Sequence, residues 1–272
     1  MTKKSMKKSL WHRHWPTQNG LPSLGIVLFV LIIIIILLVT APLVEFNPLT
    51  IVKSTDNFFA FVSNLLTVPE WRYVPTLTHK LLETIAMGFL STVFSCCFSL
   101  PLGILAARNS SPLPIIFHLV RNLLSLMRAL PEIVWALLFV SALGLGPFPG
   151  ILALTFVTTG FMGKFFAESI EVVDVGMIEG VQATGANWLQ KVHFSMLPQA
   201  MPDFIGTTLY ILDNNIRSAT VLGFVGAGGI GYELISSIRL FNYGRLILIV
   251  LAIYLTVTIL DHLSTQLRSY II

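Results

Sequence analysis

Residues 24–44 read LGIVLFVLIIIIILLVTAPLV, without one charged side chain. A helix rises 1.5 Å per residue, so roughly 20 apolar residues cross a hydrocarbon layer about 30 Å thick. The run therefore predicts a membrane span, and the rest of the chain repeats the pattern. Hydrophobic residues make up 55% of the 272 positions and charged residues 11%, against about a quarter charged in average soluble domains. Such a composition cannot clothe a soluble surface. Apolar runs and the Gly and Pro breaks between them predict spans near residues 23–44, 81–107, 130–147, 148–167, 204–226 and 244–266. The expected fold is an all-α polytopic membrane bundle of about six transmembrane helices, the economical way to satisfy backbone groups inside lipid.

The amino-terminal tail, residues 1–22, carries Lys3, Lys4, Lys7, Lys8 and Arg13 ahead of the first span. A signal peptide is the competing reading, but the apolar run exceeds the usual 7–15 residues and Thr40-Ala41-Pro42 is a poor cleavage site, so a retained anchor helix is expected. Residues 45–80, with Lys53, Asp56, Glu70 and Arg72, are too polar to span and read as an external loop holding a short helix around Phe58 to Leu66. Six spans put both termini on one side. With that side cytoplasmic, basic residues inside or at the inner boundary outnumber those outside by 11 to 5, as the positive-inside rule asks, and residues 268–272 form a cytoplasmic end. The net charge of +4 is thus spent on topology and not on a nucleic-acid face. Cys96 and Cys97 are neighbours in one helix and point apart, which leaves packing as their role.

Two interruptions between spans are patterned. Asn109-Ser110-Ser111-Pro112 makes a turn, and Ile115 to Leu130 reads as an amphipathic helix whose Arg121 and Arg128 share a face, toward lipid headgroups or a partner protein. Residues 168–203 are the longest polar stretch of the second half. Within it Gly185 suits a positive φ where one helix ends, and Asn187 suits the cap of the next, giving two short helices at an angle. In the second, Trp188, Val192 and Ser195 or Met196 form an apolar stripe, and Pro198 marks its end. The stripe has two destinations, a groove on another protein or the chain's own membrane core.

Glu179-Gly180-Val181, then Gly185 six positions after the glutamate, then Leu197-Pro198, resembles the "EAA" loop of binding-protein-dependent ABC importer permeases, with Gly180 and Val181 standing where that family has two alanines. Leu100-Pro101-Leu102-Gly103, Arg128-Ala129-Leu130-Pro131-Glu132, Gly144-Leu145-Gly146-Pro147-Phe148 and Arg217-Ser218-Ala219-Thr220 extend the likeness over roughly residues 80 to 270, to permeases of the phosphonate-transporter (PhnE) type. The resemblance implies a type I ABC importer permease fold whose core domain, residues 81–267, carries a cytoplasmic coupling loop at 168–203. It implies that Glu179, Gly180, Val181, Gly185, Trp188, Leu197 and Pro198 couple to a separate ATPase, with Glu179 as anchor and Gly185 as bend.

Further along, Gly226-Ala227-Gly228-Gly229-Ile230-Gly231 has the letters of a dinucleotide fingerprint but follows an apolar helix in place of a β-strand. Its glycines, Gly226, Gly228, Gly229 and Gly231, serve close packing or a hinge beside the solute path. Arg217 lies well inside the fifth span, where a cation costs about 2.5–3.5 kcal/mol. It either pairs with Asp213 one turn earlier or lines a hydrophilic path with Asp213, Asn214, Ser218 and Thr220. Glu83 and Glu132 fall near span ends, where solvation is easy. His118, His193 and His262 show no ligand spacing, and no Walker A sequence is present.

The expected protein is consequently an importer subunit of the bacterial inner membrane and not an enzyme. It binds no cofactor, leaving ATP-Mg to two partner ATPase subunits, and it works with an extracytoplasmic phosphonate-binding protein, lipid and a second copy of itself, with no nucleic acid. Phosphonate or a related phosphorus oxyanion is the cargo implied. The alternatives are a permease for another small solute, or a secondary transporter, for which the halves show no repeat.

Overall fold

The computed structural model describes residues 17–18, 21–22, 24–44, 46, 50, 53–65 and 67–271. The basic residues expected to set topology from Lys3 to Arg13, and the side chain of Arg268, lie outside what is described. The chain divides into two compact units, residues 1–62 and 63–272. In the first, β1 (Thr17–Gln18) and β2 (Leu21–Pro22) pair antiparallel, and α1 (Leu24–Leu43) contains no buried residue. Its isoleucine run disfavours helix in water, but a segment surrounded by hydrocarbon has only internal partners for its backbone. The expected short helix of the first loop is α2 (Thr55–Leu65).

In the second unit a 3-10 turn at Trp71–Tyr73 leads into α3 (Val74–Ala106), with Pro75 in its first turn, where a missing N–H costs nothing. The helix thus starts at Val74, and residues 74–80, expected in the external loop, belong to it. There follow α4 (Pro114–Met127), α5 (Glu132–Leu143), α6 (Pro147–Glu171), α7 (Val175–Ala183) and α8 (Trp188–Lys191). A π-helical turn, Val192–Met196, joins α8 to α9 (Leu197–Leu222), and after Gly223–Val225 come α10 (Gly229–Arg239) and α11 (Tyr243–Ile271). Among the described residues, four helices are long and apolar enough to cross a membrane alone, and two bent pairs bring the number up to six. One bent pair corrects an expectation. The predicted span over 130–147 is only the 12-residue α5, about 18 Å of helix, set at 82° to α4. Pro131 starts it, and Gly144, with φ +92°, ends it.

The core is the close approach of α3, α6 and α9, made possible by missing side chains. A Cβ on Gly88 of α3 would lie 2.5 Å from the Ile216 side chain and 2.8 Å from its Cα on α9, and one on Gly103 would lie 2.8 Å from Phe166 Cβ on α6. Between these points runs a ladder of buried hydroxyls. Ser95 Oγ meets Thr158 Oγ1 at 2.6 Å and the Thr155 carbonyl at 3.2 Å, and Ser99 Oγ donates to the Thr159 carbonyl at 3.2 Å. Small polar residues hold helices together in lipid, where apolar contact alone gives no preference for helix over acyl chain. Outside this trio, α4 rides on α6 at Gly160, where a Cβ would stand 2.8 Å from the Leu124 carbonyl.

Glu70 ties the entrance of α3 to the start of α11. It accepts from Arg245 Nε at 2.7 Å, Arg245 Nη2 at 3.2 Å and Asn242 Nδ2 at 3.2 Å, and its N–H donates to the Gly244 carbonyl at 3.1 Å. The hydrogen bond from Arg245 holds its carboxyl below the usual carboxylate range.

Two outcomes test this account. Gly88→Val should destabilise the bundle by about 1–3 kcal/mol through overpacking, read as a lower melting temperature in detergent, whereas Gly180→Val, with nothing within 4 Å of its Cβ, should leave melting close to wild type. A carboxyl with a depressed folded-state pKa contributes stability above its unfolded value, near 4.3, and loses it as pH falls through the folded value. Protection of the amides of residues 70–72, taken as exchange relative to the intrinsic rate at each pH, should therefore fall between pH 5 and pH 3 in the wild type and be low throughout in Arg245→Met.

Candidate functional site

The most patterned polar segment forms a helix-turn-helix held against the bundle. Asp174 Oδ1 accepts from Gly176 N at 2.9 Å to cap α7, and the Asp174 N–H donates to Gln199 Oε1 at 3.0 Å. Gly185 turns the chain with φ +82°. Asn187 then opens α8 through a reciprocal capping box with Gln190, both bonds 2.9 Å. Glu179 is exposed and makes no ion pair or side-chain hydrogen bond with a described residue, and Gly180, Gly185, Met177, Leu189 and Phe194 of the same element are exposed as well.

Of the stripe's two destinations, the structure shows the chain's own core. Val192, Ser195 and Met196 are buried, and Trp188 and Leu197 pack on the same cluster. Trp188 Nε1 donates to the Ser110 carbonyl at 2.6 Å. Pro198 does not end the helix: it sits in the first turn of α9, which the π turn makes continuous with α8. The extra residue of a π turn absorbs the phase shift that Pro198 would otherwise force.

Under this element Glu171 collects the neighbouring loops. It accepts from Arg121 Nη2 with both oxygens at 3.1 Å and from the Arg108 N–H at 2.7 Å, while Arg121 Nε donates to the Ala106 carbonyl at 3.2 Å. Arg121 also lies 4.8 Å from the centre of the Phe117 ring. Its expected place among lipid headgroups is corrected: it turns inward and stitches α4 to the ends of α3 and α6. Arg128 stacks on Phe161 at 5.4 Å.

A groove of about 370 Å³ opens between α5, α6 and α9, lined among others by Glu132, Thr158, Tyr210, Asn214, Asn215 and Ser218. Ser218 Oγ donates to Glu132 Oε1 at 3.0 Å. Asn215 is fully buried and its Nδ2 donates to Thr92 Oγ1 at 2.9 Å. The residues expected together on a hydrophilic path therefore divide. Asn214 and Ser218 face this groove, Asp213 faces the opposite side of α9 with Leu260 and Ser264, and Thr220 lies with Thr84 and Ile253. Arg217 pairs with Asp213 at 2.9 Å, the predicted i,i+4 contact, and also with Asp261 of α11, which sequence spacing does not reveal because the partners are 44 positions apart.

Glu132 and Glu83 are also not simply solvated. Glu83 receives Lys80 Nζ at 2.7 Å and the Gly229 N–H at 2.9 Å, while Thr84 Oγ1 receives the Ile230 N–H at 2.8 Å. These groups of α3 cap α10 from outside. The glycine cluster shapes a bend and a close contact. Gly226, Gly228 and Gly229 have φ of +85°, +75° and +71° and make the break between α9 and α10, a 44° bend, whereas Gly231 allows α10 to meet the Thr220 carbonyl. No β-strand precedes the cluster.

The family described as binding-protein-dependent transport system inner membrane component matches residues 99–271. The phosphite transport system permease protein PtxC of Stutzerimonas stutzeri is 42% identical over 202 residues, 74% of each chain. The phosphate-import permease protein PhnE of Mycolicibacterium smegmatis is 41% identical over 190 residues, 70% of this chain but 36% of its own length, so this chain spans about a third of that relative. The putative cryptic phosphonate transport system permease protein PhnE2 of Escherichia coli K12 is 44% identical over 122 residues, 45% of this chain and all of its own. A chain from inward-facing structures of the MetNI methionine ABC transporter superposes with a TM-score of 0.64 at 23% identity, covering 75% of this chain and 99% of its own, which establishes likeness of fold. With its several membrane-length apolar helices and a family match over most of its residues, the chain belongs to the inner membrane components of binding-protein-dependent transport systems.

Proposed function

We propose that this chain is the permease subunit of an ATP-driven importer for a phosphorus oxyanion such as phosphonate or phosphite, and that residues 179–198 couple it to a separate ATPase and receive its force. The observation that carries the reading is the two-sided character of that element. One side, through Trp188, Val192 and Met196, is bonded and packed into the chain's own bundle. Elsewhere the element leaves exposed Glu179, which has no ion pair with a described residue, and Met177, Leu189 and Phe194, a polar group and apolar groups of the kind that seat a short helix in a partner's groove. Gly180 and Gly185, with open space around them, leave room for a close approach.

In this reading two ATPase subunits hold ATP-Mg, a solute-binding protein delivers the anion to the opposite face, and two copies of the permease line one path, closed two-fold symmetry being the commonest assembly. Both termini lie in the cytoplasm, the arrangement the basic residues favour. The cargo is supported by the relatives, whose names specify phosphite, phosphate import and phosphonate transport. The groove beside Glu132, Asn214 and Ser218 is the place where each copy meets the solute. Arg217, engaged by Asp213 and Asp261, braces α9 against α11.

Two substitutions test the coupling. Proline cannot take φ +82° and removes the Gly185 N–H that donates to the Gln182 carbonyl at 3.0 Å. Gly185→Pro should lower ATP-driven uptake at least about tenfold with membrane insertion intact, and unchanged uptake would remove residues 179–198 from the mechanism. Trp188→Phe deletes one hydrogen bond worth about 1 kcal/mol and keeps the ring. Its expected result in proteoliposomes is continued ATP hydrolysis with fewer solute molecules moved per ATP.

A further inference from the structure

The groove's polar groups are mostly acceptors. Thr92 Oγ1 donates its own hydrogen to the Gly88 carbonyl at 2.7 Å, so its oxygen must accept from Asn215 Nδ2. That fixes the amide orientation and leaves Asn215 Oδ1 buried with no hydrogen-bond partner among the described residues. Ser218 has given its hydrogen to Glu132 Oε1, and Thr158 has given its own to the Leu154 carbonyl. Among the groove's lining residues no lysine, arginine or histidine occurs. Arg128 lies over the Phe161 ring without lining the groove itself, and Arg217 is engaged by Asp213 and Asp261. Of the elements packed around Glu132, α6 contributes no titratable side chain to the lining and α9 contributes Tyr210 alone.

A fully ionised oxyanion offers only acceptors and would meet a carboxylate and an orphaned carbonyl. We infer that Glu132, with Asn215 Oδ1, selects the protonated form of the solute: a P–OH donates to these acceptors while the P–O⁻ oxygens take hydrogen bonds from Tyr210 and Asn214. Glu132 thereby acts as a specificity-determining residue, distinguishing an oxyanion that carries a hydroxyl from one that does not. This inference rests on the phosphorus-oxyanion reading above.

The test uses the whole transporter, permease with its ATPase and binding protein, in proteoliposomes, with phosphite as probe at matched inside and outside pH from 6 to 8, a range in which phosphoryl groups with a second pKa near 6 lose their last proton. Wild type should move several-fold more phosphite per ATP at pH 6 than at pH 8. Glu132→Gln keeps an oxygen for Ser218 and replaces the other acceptor by a donor, and its uptake per ATP should become nearly flat with pH, while Glu132→Asp restores the wild-type slope. Should Glu132→Gln fail to assemble, Asn215→Leu, which deletes the second acceptor at similar volume, should flatten the profile in the same direction. A Glu132→Gln or Asn215→Leu profile parallel to wild type overturns the assignment and leaves the groove holding water at these groups. Failure of the wild type to move phosphite or methylphosphonate at any pH, with ATP hydrolysed normally, overturns the cargo reading instead.

Discussion

Everything in the second unit depends on α3, α6 and α9 approaching to backbone contact. In hydrocarbon an apolar face gains nothing by leaving lipid for a neighbouring helix, so association needs close dispersion contact and internal hydrogen bonds. Gly88 beneath Ile216, Gly103 against Phe166, and the Ser95, Ser99, Thr158 and Thr159 ladder supply both. Because the trio is fixed, the outer pieces have something to lean on: α4 rests on Gly160 and Gly163, and α10 is capped by Glu83 and Thr84 of α3. α11 is held at one end by Glu70 and further along by the Arg217 cluster.

The polar end of the bundle follows a second rule, that charged groups near lipid are placed where they satisfy several neighbours. Glu171 answers a guanidinium and the Arg108 N–H just past the end of α3, and Arg121 answers a carboxylate, a carbonyl and an aromatic face. These ties are partly exposed, so each contributes little alone. Their value is geometric, since they set residues 107–113 where the Ser110 carbonyl can receive Trp188.

Much of this was written in local sequence. Hydropathy marks α1, α3, α6 and α11 because a span is a property of some 20 consecutive residues. Gly185 and Asn187 announce their turn and cap because those conformations are decided within a few positions. Contacts between distant segments are silent: Asp261 lies far along the chain from Arg217, Glu132 looks like an ordinary helix start, and Thr92 gives no sign that it orients Asn215. The 130–147 run misleads for a related reason, since its apolar residues suit a half-length helix packed on α6 as well as a full span, and only Pro131 and Gly144 hint at the shorter outcome. Pro198 misleads because a π turn just before it cannot be anticipated from composition.

That π turn has a mechanical consequence. By bridging α8 to α9 without a break, it makes Trp188 and Ser218 two points on one rod, 30 positions and about 45 Å apart at helical rise. A tilt of the whole element by roughly 10° about the Trp188 end would displace the Ser218 end by about 8 Å on that rise. Between the two points the helix is unbroken although it carries the π turn, Pro198 and Pro202, and it is interrupted next at the glycines that follow Val225.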